Sequence, residues 1–145
     1  MEEVRQLGFK VGLHSAGIKP WAFAWAAKAA DWVGFDIKAL AEDAELITGV
    51  SGSGKANWRS LEHLLASGVD YECRTTVHWH LLDVERLWTI AERLQSFGVE
   101  HFAVQLVRSE RMLDPTLPRV AAPAEAEELW QRLRQAFPHF VLRKD

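Results

Sequence analysis

Cysteine is almost absent from this 145-residue sequence, which contains a single one, Cys73. One cysteine excludes a disulfide within the chain and a metal site built from the chain's own thiolates alone. A basic surplus is also missing, because 17 Lys and Arg against 20 Asp and Glu give a net charge of −3. Such a chain lacks the field that attracts nucleic acid or anionic lipid, and we expect neither nucleic acid nor a membrane as a partner.

Long apolar runs and a secretory leader are missing as well. No apolar stretch reaches the roughly 20 residues that span a bilayer. The start, MEEVRQLGFK, has neither the basic nor the apolar region of a signal peptide, so we expect a cytoplasmic protein. What is present, 48% hydrophobic and 26% charged residues, is the ordinary composition of one domain with a real core.

Glycines mark three places where an amphipathic segment gives way to an extended one. Gly8, Gly68 and Gly98 are each predicted to end a helix in the left-handed conformation. The extended runs are short and apolar, as buried parallel strands are; they are residues 10–14, 32–38, 71–78 and 102–108. The alternation predicts an α/β fold in a single domain, with a linker at 109–123 and a last helix and short strand at 124–145.

The stretch GVSGSGKA, Gly49 to Ala56, approaches the phosphate-binding pattern G-x-x-x-x-G-K followed by Ser or Thr. Ala56 stands where a hydroxyl would bind magnesium. The preceding AEDAELIT has a helical pattern, whereas a phosphate-binding loop follows a strand. We therefore interpret the stretch as a connection between two helices.

Ligands of parallel sheets and barrels bind over the carboxyl ends of the strands, which makes the predicted strand ends the candidate site. The side chains there include those of His14, Ser15, Asp36, Lys38, Arg74 and His78. Asp36 and Lys38 are two apart and would share one face of their strand. They could hold a zwitterionic ligand together, or form an internal ion pair that serves the fold alone, and the spacing favours neither.

Two further groups of side chains are candidates for a metal site and for a ligand-stacking site. His78 and His80 lie where the third strand ends and could join His14 around a metal, but nothing in the spacing fixes a third ligand, so we interpret them as solvated histidines. Trp21 and Trp25 are four apart on one predicted helix. We expect them to pack in the core or against another helix rather than to stack on a ligand.

Four blocks of the sequence, GFKVGLHSAG, DWVGFDIKA, ELITGVSGSG and SGVDYECRTTVH, resemble in this order the central and C-terminal part of radical S-adenosylmethionine enzymes. Within that superfamily the similarity is to the activating proteins of anaerobic ribonucleoside-triphosphate reductase, from about residue 5 to residue 108. The resemblance implies a partial (β/α) TIM-type barrel of parallel strands that lacks the first strands of the family's barrel. It also implies two cofactors, S-adenosylmethionine and a [4Fe-4S] cluster.

The resemblance implies an oxidoreductase activity and a partner as well. In the family the reduced cluster cleaves S-adenosylmethionine to a 5′-deoxyadenosyl radical, which abstracts hydrogen from a glycine of the partner. That partner would be anaerobic ribonucleoside-triphosphate reductase or another glycyl radical enzyme. The D-I-K of the second strand matches the family's D-x-K, and Ser15 matches the T-N-G turn, although Ala16 replaces its Asn. The cofactor-binding residues so implied are Ser15, Asp36, Lys38, Arg74, His14 and His78.

Two family motifs have no counterpart in this sequence: the C-x-x-x-C-x-x-C loop, which supplies three thiolates to the cluster, and the G-G-E motif. Cys73 stands within a strand, where cysteine is usually a small buried hydrophobe. The chain thus matches the distal portion of an activase, expected to be inactive without a separate N-terminal half. Two alternatives remain: a cluster-free module that binds S-adenosylmethionine or a partner, and an unrelated barrel enzyme that uses Asp36 with Lys38.

Overall fold

The computed structural model describes residues 1–107 and 116–144, in which helices and strands alternate. The helices are α1 (Glu2–Gln6), α2 (Pro20–Lys28), α3 (Ala44–Thr48), α4 (Ser53–Ser67), α5 (Val84–Ser96) and α6 (Ala126–Ala136). The strands are β1 (Gly12–Ser15), β2 (Trp32–Asp36), β3 (Asp70–Val77), β4 (His101–Leu106) and β5 (His139–Arg143). Within the described residues the parallel strands form a sheet in the order β1-β2-β3-β4-β5, which confirms the predicted α/β fold.

The chain consists of two compact units, Met1–Arg74 and Thr75–Asp145. In the first, β1 pairs with β2 and β2 with β3, and the pairing aligns Gly12 with Trp32 and Trp32 with Asp70. Because side chains alternate along a strand, this alignment sorts the residues onto two faces. The face termed here the polar face carries Gly12, His14, Trp32, Gly34, Asp36, Asp70, Glu72 and Arg74.

The opposite face of these strands forms the core of the first unit. Val33, Phe35 and Cys73 are fully buried there. Phe23 of α2 packs on Phe35, with ring centroids 5.1 Å apart. Burial raises the pKa of the Cys73 thiol, and the Glu72 carboxylate adds to the effect. Cys73 is therefore the inert buried hydrophobe that the sequence predicts.

The first half of the glycine-rich stretch, residues 49–52, connects α3 to α4 as predicted, whereas the second half belongs to α4. Gly49 ends α3 and Gly52 precedes α4, and both adopt the left-handed conformation that glycine tolerates best. Helix α4 begins at Ser53, which places Gly54 within its first turn. A Cβ at Gly54 would overlap the carbonyl oxygen of Ala41, so a glycine there lets the helix approach the segment after β2 closely.

The second unit contains the predicted last helix and strand, with β5 parallel to β4. Helix α5 starts at the cap Asp83, whose carboxylate accepts a hydrogen bond of 2.8 Å from the Arg86 backbone N–H. The apolar residues of α5 recur at helical spacing and are buried; they are Leu87, Ile90, Ala91 and Leu94. Phe102 of β4 packs on Phe137, with ring centroids 5.0 Å apart, to close this core.

Some predicted strand bounds are wrong. Strand β2 ends at Asp36 rather than Lys38, and the Asp36 carbonyl accepts a hydrogen bond from the side chain of Asn57. Strand β1 begins at Gly12 rather than Lys10, and the Val11 N–H donates to the Asp31 carboxylate at 2.7 Å. Strand β3 runs from residue 70 to residue 77 instead of 71–78. The predicted end of the fourth strand at residue 108 lies outside the described residues.

The expectation that both tryptophans of α2 are packed is wrong for Trp25, which is 79% exposed. Trp21 is 68% exposed but does contact α4, with its ring 5.4 Å from that of His63 and 5.7 Å from the guanidinium of Arg59. The face that α2 buries is the one with Phe23 and Ala27. No helix within residues 1–107 and 116–144 is long and apolar enough to cross a membrane.

Candidate functional site

An ion pair between Asp36 and Arg74 occupies the carboxyl end of the polar face. The two residues are aligned neighbours on β2 and β3. The Nε and Nη2 of Arg74 donate to Asp36 Oδ1 at 3.1 and 2.7 Å. The Arg74 carbonyl also accepts from the Ile37 N–H at 2.8 Å, so main chain and side chain hold the same two strands together.

Both donations from Arg74 go to the same carboxylate oxygen. Among the residues that the structure describes, none bonds to Oδ2 of Asp36 or to Nη1 of Arg74. The side chains of Asp36 and Arg74 are 34% and 20% exposed, so the pair is partly open to a ligand while its charges are partly shielded from water. A partly exposed pair adds little to stability, about 0–1 kcal/mol, but it presents a fixed acceptor and a fixed donor to a ligand.

His14 lies on the same face as this ion pair. Its imidazole meets the indole of Trp32 edge-on, with centroids 5.3 Å apart and the planes at 74°. Gly34 lies directly beneath the imidazole, since a Cβ there would overlap the ring. The polar face thus brings together three of the predicted site residues: His14, Asp36 and Arg74.

Ser15 is placed differently, because the strand alignment puts it on the core face, next to Phe35 of β2. Its Oγ accepts a hydrogen bond of 3.0 Å from the Gly17 N–H and so shapes the turn after β1. The structure does not bring this hydroxyl onto the polar face.

Lys38 also lies apart from the ion pair. It follows the end of β2, is exposed, and forms no ion pair within the part of the chain that the structure describes. The internal ion pair that the spacing allowed therefore joins Asp36 to Arg74 rather than to Lys38. Lys38 instead borders a small cavity of about 90 Å³, which is lined by Ala16, Ile18, Ala39, Ala44, Thr48, Val50, Ser53 and Asn57.

His78 belongs to the second unit, where it directly follows β3. Its Nδ1 accepts a hydrogen bond of 3.2 Å from the His80 N–H, and the two rings are 6.4 Å apart. His78 lines an open cleft of about 400 Å³ together with Trp79, Leu106 and Arg119. No group of three metal-ligating side chains occurs in the described residues, so the structure gives no support to a metal site at these histidines.

The sequence analysis missed the buried polar side of α4. Asn57 Nδ2 donates to the carbonyl oxygens of Ala16 and Asp36 at 2.7 and 2.9 Å. Ser60 Oγ donates to the Gly17 carbonyl at 2.5 Å. The available signal was positional: Asn57 and Ser60 fall on the same helical face as the core residue Leu64, where a polar residue needs a buried partner.

The donor set does not fit a [4Fe-4S] cluster. Such a cluster is held by cysteine thiolates, and the family's loop supplies three of them. The chain has one cysteine, buried within β3, and burial keeps its thiol protonated. No step of a reaction can therefore be assigned to a cluster held by this chain.

Comparison with known proteins identifies the fold. No protein-family model matches the sequence, and no curated protein matches it in sequence. A solved domain of a pyruvate-formate lyase-activating enzyme from Bacteroides vulgatus superposes with a TM-score of 0.69 at 13% identity, covering 98% of this chain and 86% of that domain.

A second solved structure with this fold is Streptococcus suis SuiB bound to S-adenosylmethionine. Its TM-score is 0.67 at 13% identity, and the match covers 97% of this chain but 33% of SuiB. The present chain thus spans about a third of the length of SuiB. It has a partial barrel-like α/β fold that is shared by a pyruvate-formate lyase-activating enzyme domain and by SuiB.

Proposed function

We propose that this chain is the distal portion of a radical S-adenosylmethionine activating enzyme and that its polar face binds S-adenosylmethionine. The fold supports the proposal, since two of the similar solved structures are an activating-enzyme domain and a protein bound to that molecule. The sequence blocks that resemble the superfamily support it independently. The observation that carries it is the Asp36–Arg74 pair, which presents an unused oxygen at the carboxyl end of β2 and an unused nitrogen on the adjacent strand β3.

These two atoms suit the polar groups of S-adenosylmethionine. Asp36 Oδ2 would accept a hydrogen bond from its ammonium or ribose hydroxyls, and Arg74 Nη1 would donate to its carboxylate. The bound molecule supplies a sulfonium for reductive cleavage. This chain's contribution is to bind and orient it, because the electron must come from a cluster for which the chain has no ligands.

The proposal also names the enzyme that is activated and the source of the thiolates that hold the cluster. We propose anaerobic ribonucleoside-triphosphate reductase as the glycyl radical enzyme that is activated, on the strength of the resemblance of the D-I-K and G-V-S-G-S-G blocks. The thiolates would come from a separate N-terminal half. In this arrangement the present chain is inactive alone.

Calorimetric titration with S-adenosylmethionine tests the binding proposal. We expect weak binding to the isolated chain, and a loss of about tenfold or more for Asp36→Asn and for Arg74→Gln, since a charge-assisted hydrogen bond contributes about 1.5–3 kcal/mol. Asp70→Asn is the matched control, because Asp70 lies on the same face at the start of β3, where it is aligned with Trp32 rather than with Asp36. Binding that is indifferent to both site variants would place the ligand elsewhere.

A second candidate is a cluster-free module that binds S-adenosylmethionine without cleaving it. The lack of cluster ligands favours this second candidate, because the single cysteine is buried within a strand. An N-terminal activase half with the cysteine loop separates the two: cleavage after reconstitution supports the activase, and binding without cleavage supports the module. An enzyme that uses Asp36 with Lys38 as a catalytic pair gains no support, because Asp36 pairs with Arg74.

A further inference from the structure

Asn57 of α4 lies at the point where β1 and β2 separate. The last aligned pair of these strands is Ser15 with Phe35. The next two residues, Ala16 and Asp36, are bridged by a side chain instead, because Asn57 Nδ2 donates to both of their carbonyl oxygens at 2.7 and 2.9 Å. One amide group therefore continues the connection between the two chain segments where the strand pairing stops.

The chemistry of the amide fixes its orientation. The nitrogen of an asparagine side chain carries two N–H donors, whereas its oxygen can only accept. Two carbonyl oxygens at hydrogen-bond distance thus require the nitrogen to face them. Asn57 is 8% exposed, so water is a poor substitute, and a side chain without a donor would leave both carbonyl groups without this partner.

Asp36 is restrained through three groups that meet at the polar face. Asn57 holds its carbonyl, Arg74 holds its carboxylate, and the next backbone N–H, that of Ile37, bonds to the Arg74 carbonyl at 2.8 Å. The direction of the Asp36 side chain depends on the orientation of its own backbone. Two of these hydrogen bonds are formed among β2, β3 and Ile37, which directly follows β2. Only the hydrogen bond from Asn57 comes from another element, helix α4.

We propose that Asn57 is a positioning residue for the ligand site on the polar face. By holding the Asp36 carbonyl it aims the Asp36 carboxylate at Arg74, and it thereby sets where the unused oxygen and nitrogen of that pair meet a ligand. This inference rests on the proposed function, because the ligand is S-adenosylmethionine. Asn57 acts through Asp36 and does not itself contact the ligand.

The same helix supplies a control for a purely structural role. Ser60 is fully buried, and its Oγ donates to the Gly17 carbonyl in the turn after β1. Ser60→Ala removes one buried hydrogen bond between α4 and that turn without touching Asp36. If Asn57 serves only to dock α4, the two substitutions should have the same kind of effect on the ion pair.

The experiment compares the wild-type chain with Asn57→Ala and Ser60→Ala by three measurements. Urea unfolding reports stability, the Arg74 Nε–H resonance in a nitrogen–proton NMR spectrum reports the hydrogen bond to Asp36, and calorimetry reports affinity for S-adenosylmethionine. We expect both variants to be destabilised. Asn57→Ala should also shift the Arg74 Nε–H resonance towards that of a free guanidinium and weaken S-adenosylmethionine binding about tenfold. Ser60→Ala should keep the wild-type resonance and the wild-type affinity.

An unchanged Arg74 resonance in Asn57→Ala, or the same shift in Ser60→Ala, would overturn the proposal. If Asn57→Ala does not fold, Asn57→Ser allows the same comparison, because its hydroxyl is too short to bridge both carbonyl groups. If the wild-type chain binds no S-adenosylmethionine, the proposed function fails. The Arg74 resonance still decides whether Asn57 positions the ion pair.

Discussion

Single polar side chains hold the ends of the strands in the first unit. Asn57 binds the carbonyl oxygen at the carboxyl end of β2. At the other end of that strand, the Asp31 carboxylate accepts a hydrogen bond from the Val11 N–H at 2.7 Å and forms an ion pair with Arg5 at 3.0 Å. Both residues satisfy backbone groups that the strand pairing leaves without partners, as buried or partly buried backbone requires.

Asp31 should make stability depend on pH in the acid range. The hydrogen bond from Val11 lowers the pKa of its carboxyl below the usual value; burial opposes the shift, and the Arg5 charge supports it. A lowered folded-state pKa means that the ionised group stabilises the fold at neutral pH. That contribution is lost as the pH falls below about 4, through the folded-state pKa.

Urea unfolding of the wild type and of Asp31→Asn at a series of pH values measures this effect. The variant should be less stable at neutral pH, and the difference in the free energy of unfolding should shrink as the pH falls below about 4. A difference that stays constant over the whole series would show that the charge of Asp31 does not stabilise the folded state.

At the scale of the element, α4 is the helix that organises the first unit. Its buried face combines core residues with small and polar ones, which allows it to approach the segments after β1 and β2 and to bond to them. Gly54 marks the closest approach, against the Ala41 carbonyl. The glycine-rich stretch that resembles a phosphate-binding loop thus has a packing role in this fold.

Gly54→Ala should test that role. Alanine favours a helix over glycine by about 1 kcal/mol, so an unhindered position would become more stable. At Gly54 the new methyl group would overlap the Ala41 carbonyl, and we expect a net loss of about 1–3 kcal/mol in the free energy of unfolding. Lys55→Ala, at the exposed next position, should change it by about 0.5 kcal/mol or less. A stabilised Gly54→Ala would mean that the helix can move away at no cost.

At the scale of the whole molecule, β1 lies at an edge of the sheet that the described strands form. It contains neither Lys nor Pro, the residues that commonly discourage an edge from pairing. Exposed apolar side chains precede it, with Leu7 74% and Phe9 66% exposed. An unprotected parallel edge next to apolar surface is typical of a strand that pairs with another chain.

We therefore expect the isolated chain to self-associate through this edge or to be stabilised by an N-terminal activase half supplied in trans. Light scattering should show a species larger than a monomer, and Phe9→Ser should weaken the association. Leu46→Ser is the matched control, because Leu46 is 82% exposed on α3 and not next to β1. A monomer at high concentration, whose amides at Val11 to Leu13 exchange as slowly as those at Arg74 to Val77, would show that the edge needs no partner.

Much of the fold could be predicted because it follows from local patterns. Helix ends at Gly8, Gly68 and Gly98 were predicted because each glycine closes an amphipathic segment and precedes an extended one, and all three glycines have positive φ angles. Buried strands were predicted from short apolar runs. The exposed tryptophans of α2 could not be predicted in this way, because PWAFAWAAK is apolar nearly all round and no periodicity tells which side meets the sheet.

The sequence by itself determined the parallel α/β architecture, the set of candidate residues at the strand ends, and the lack of cluster ligands, since these depend on residue type and order along the chain. Only the tertiary structure decided that Asp36 pairs with Arg74 and not with Lys38, and that Asn57 bridges β1 and β2. The physical reason is that strand alignment and helix docking bring together residues 21 to 41 positions apart. No spacing within a single strand or helix encodes such contacts.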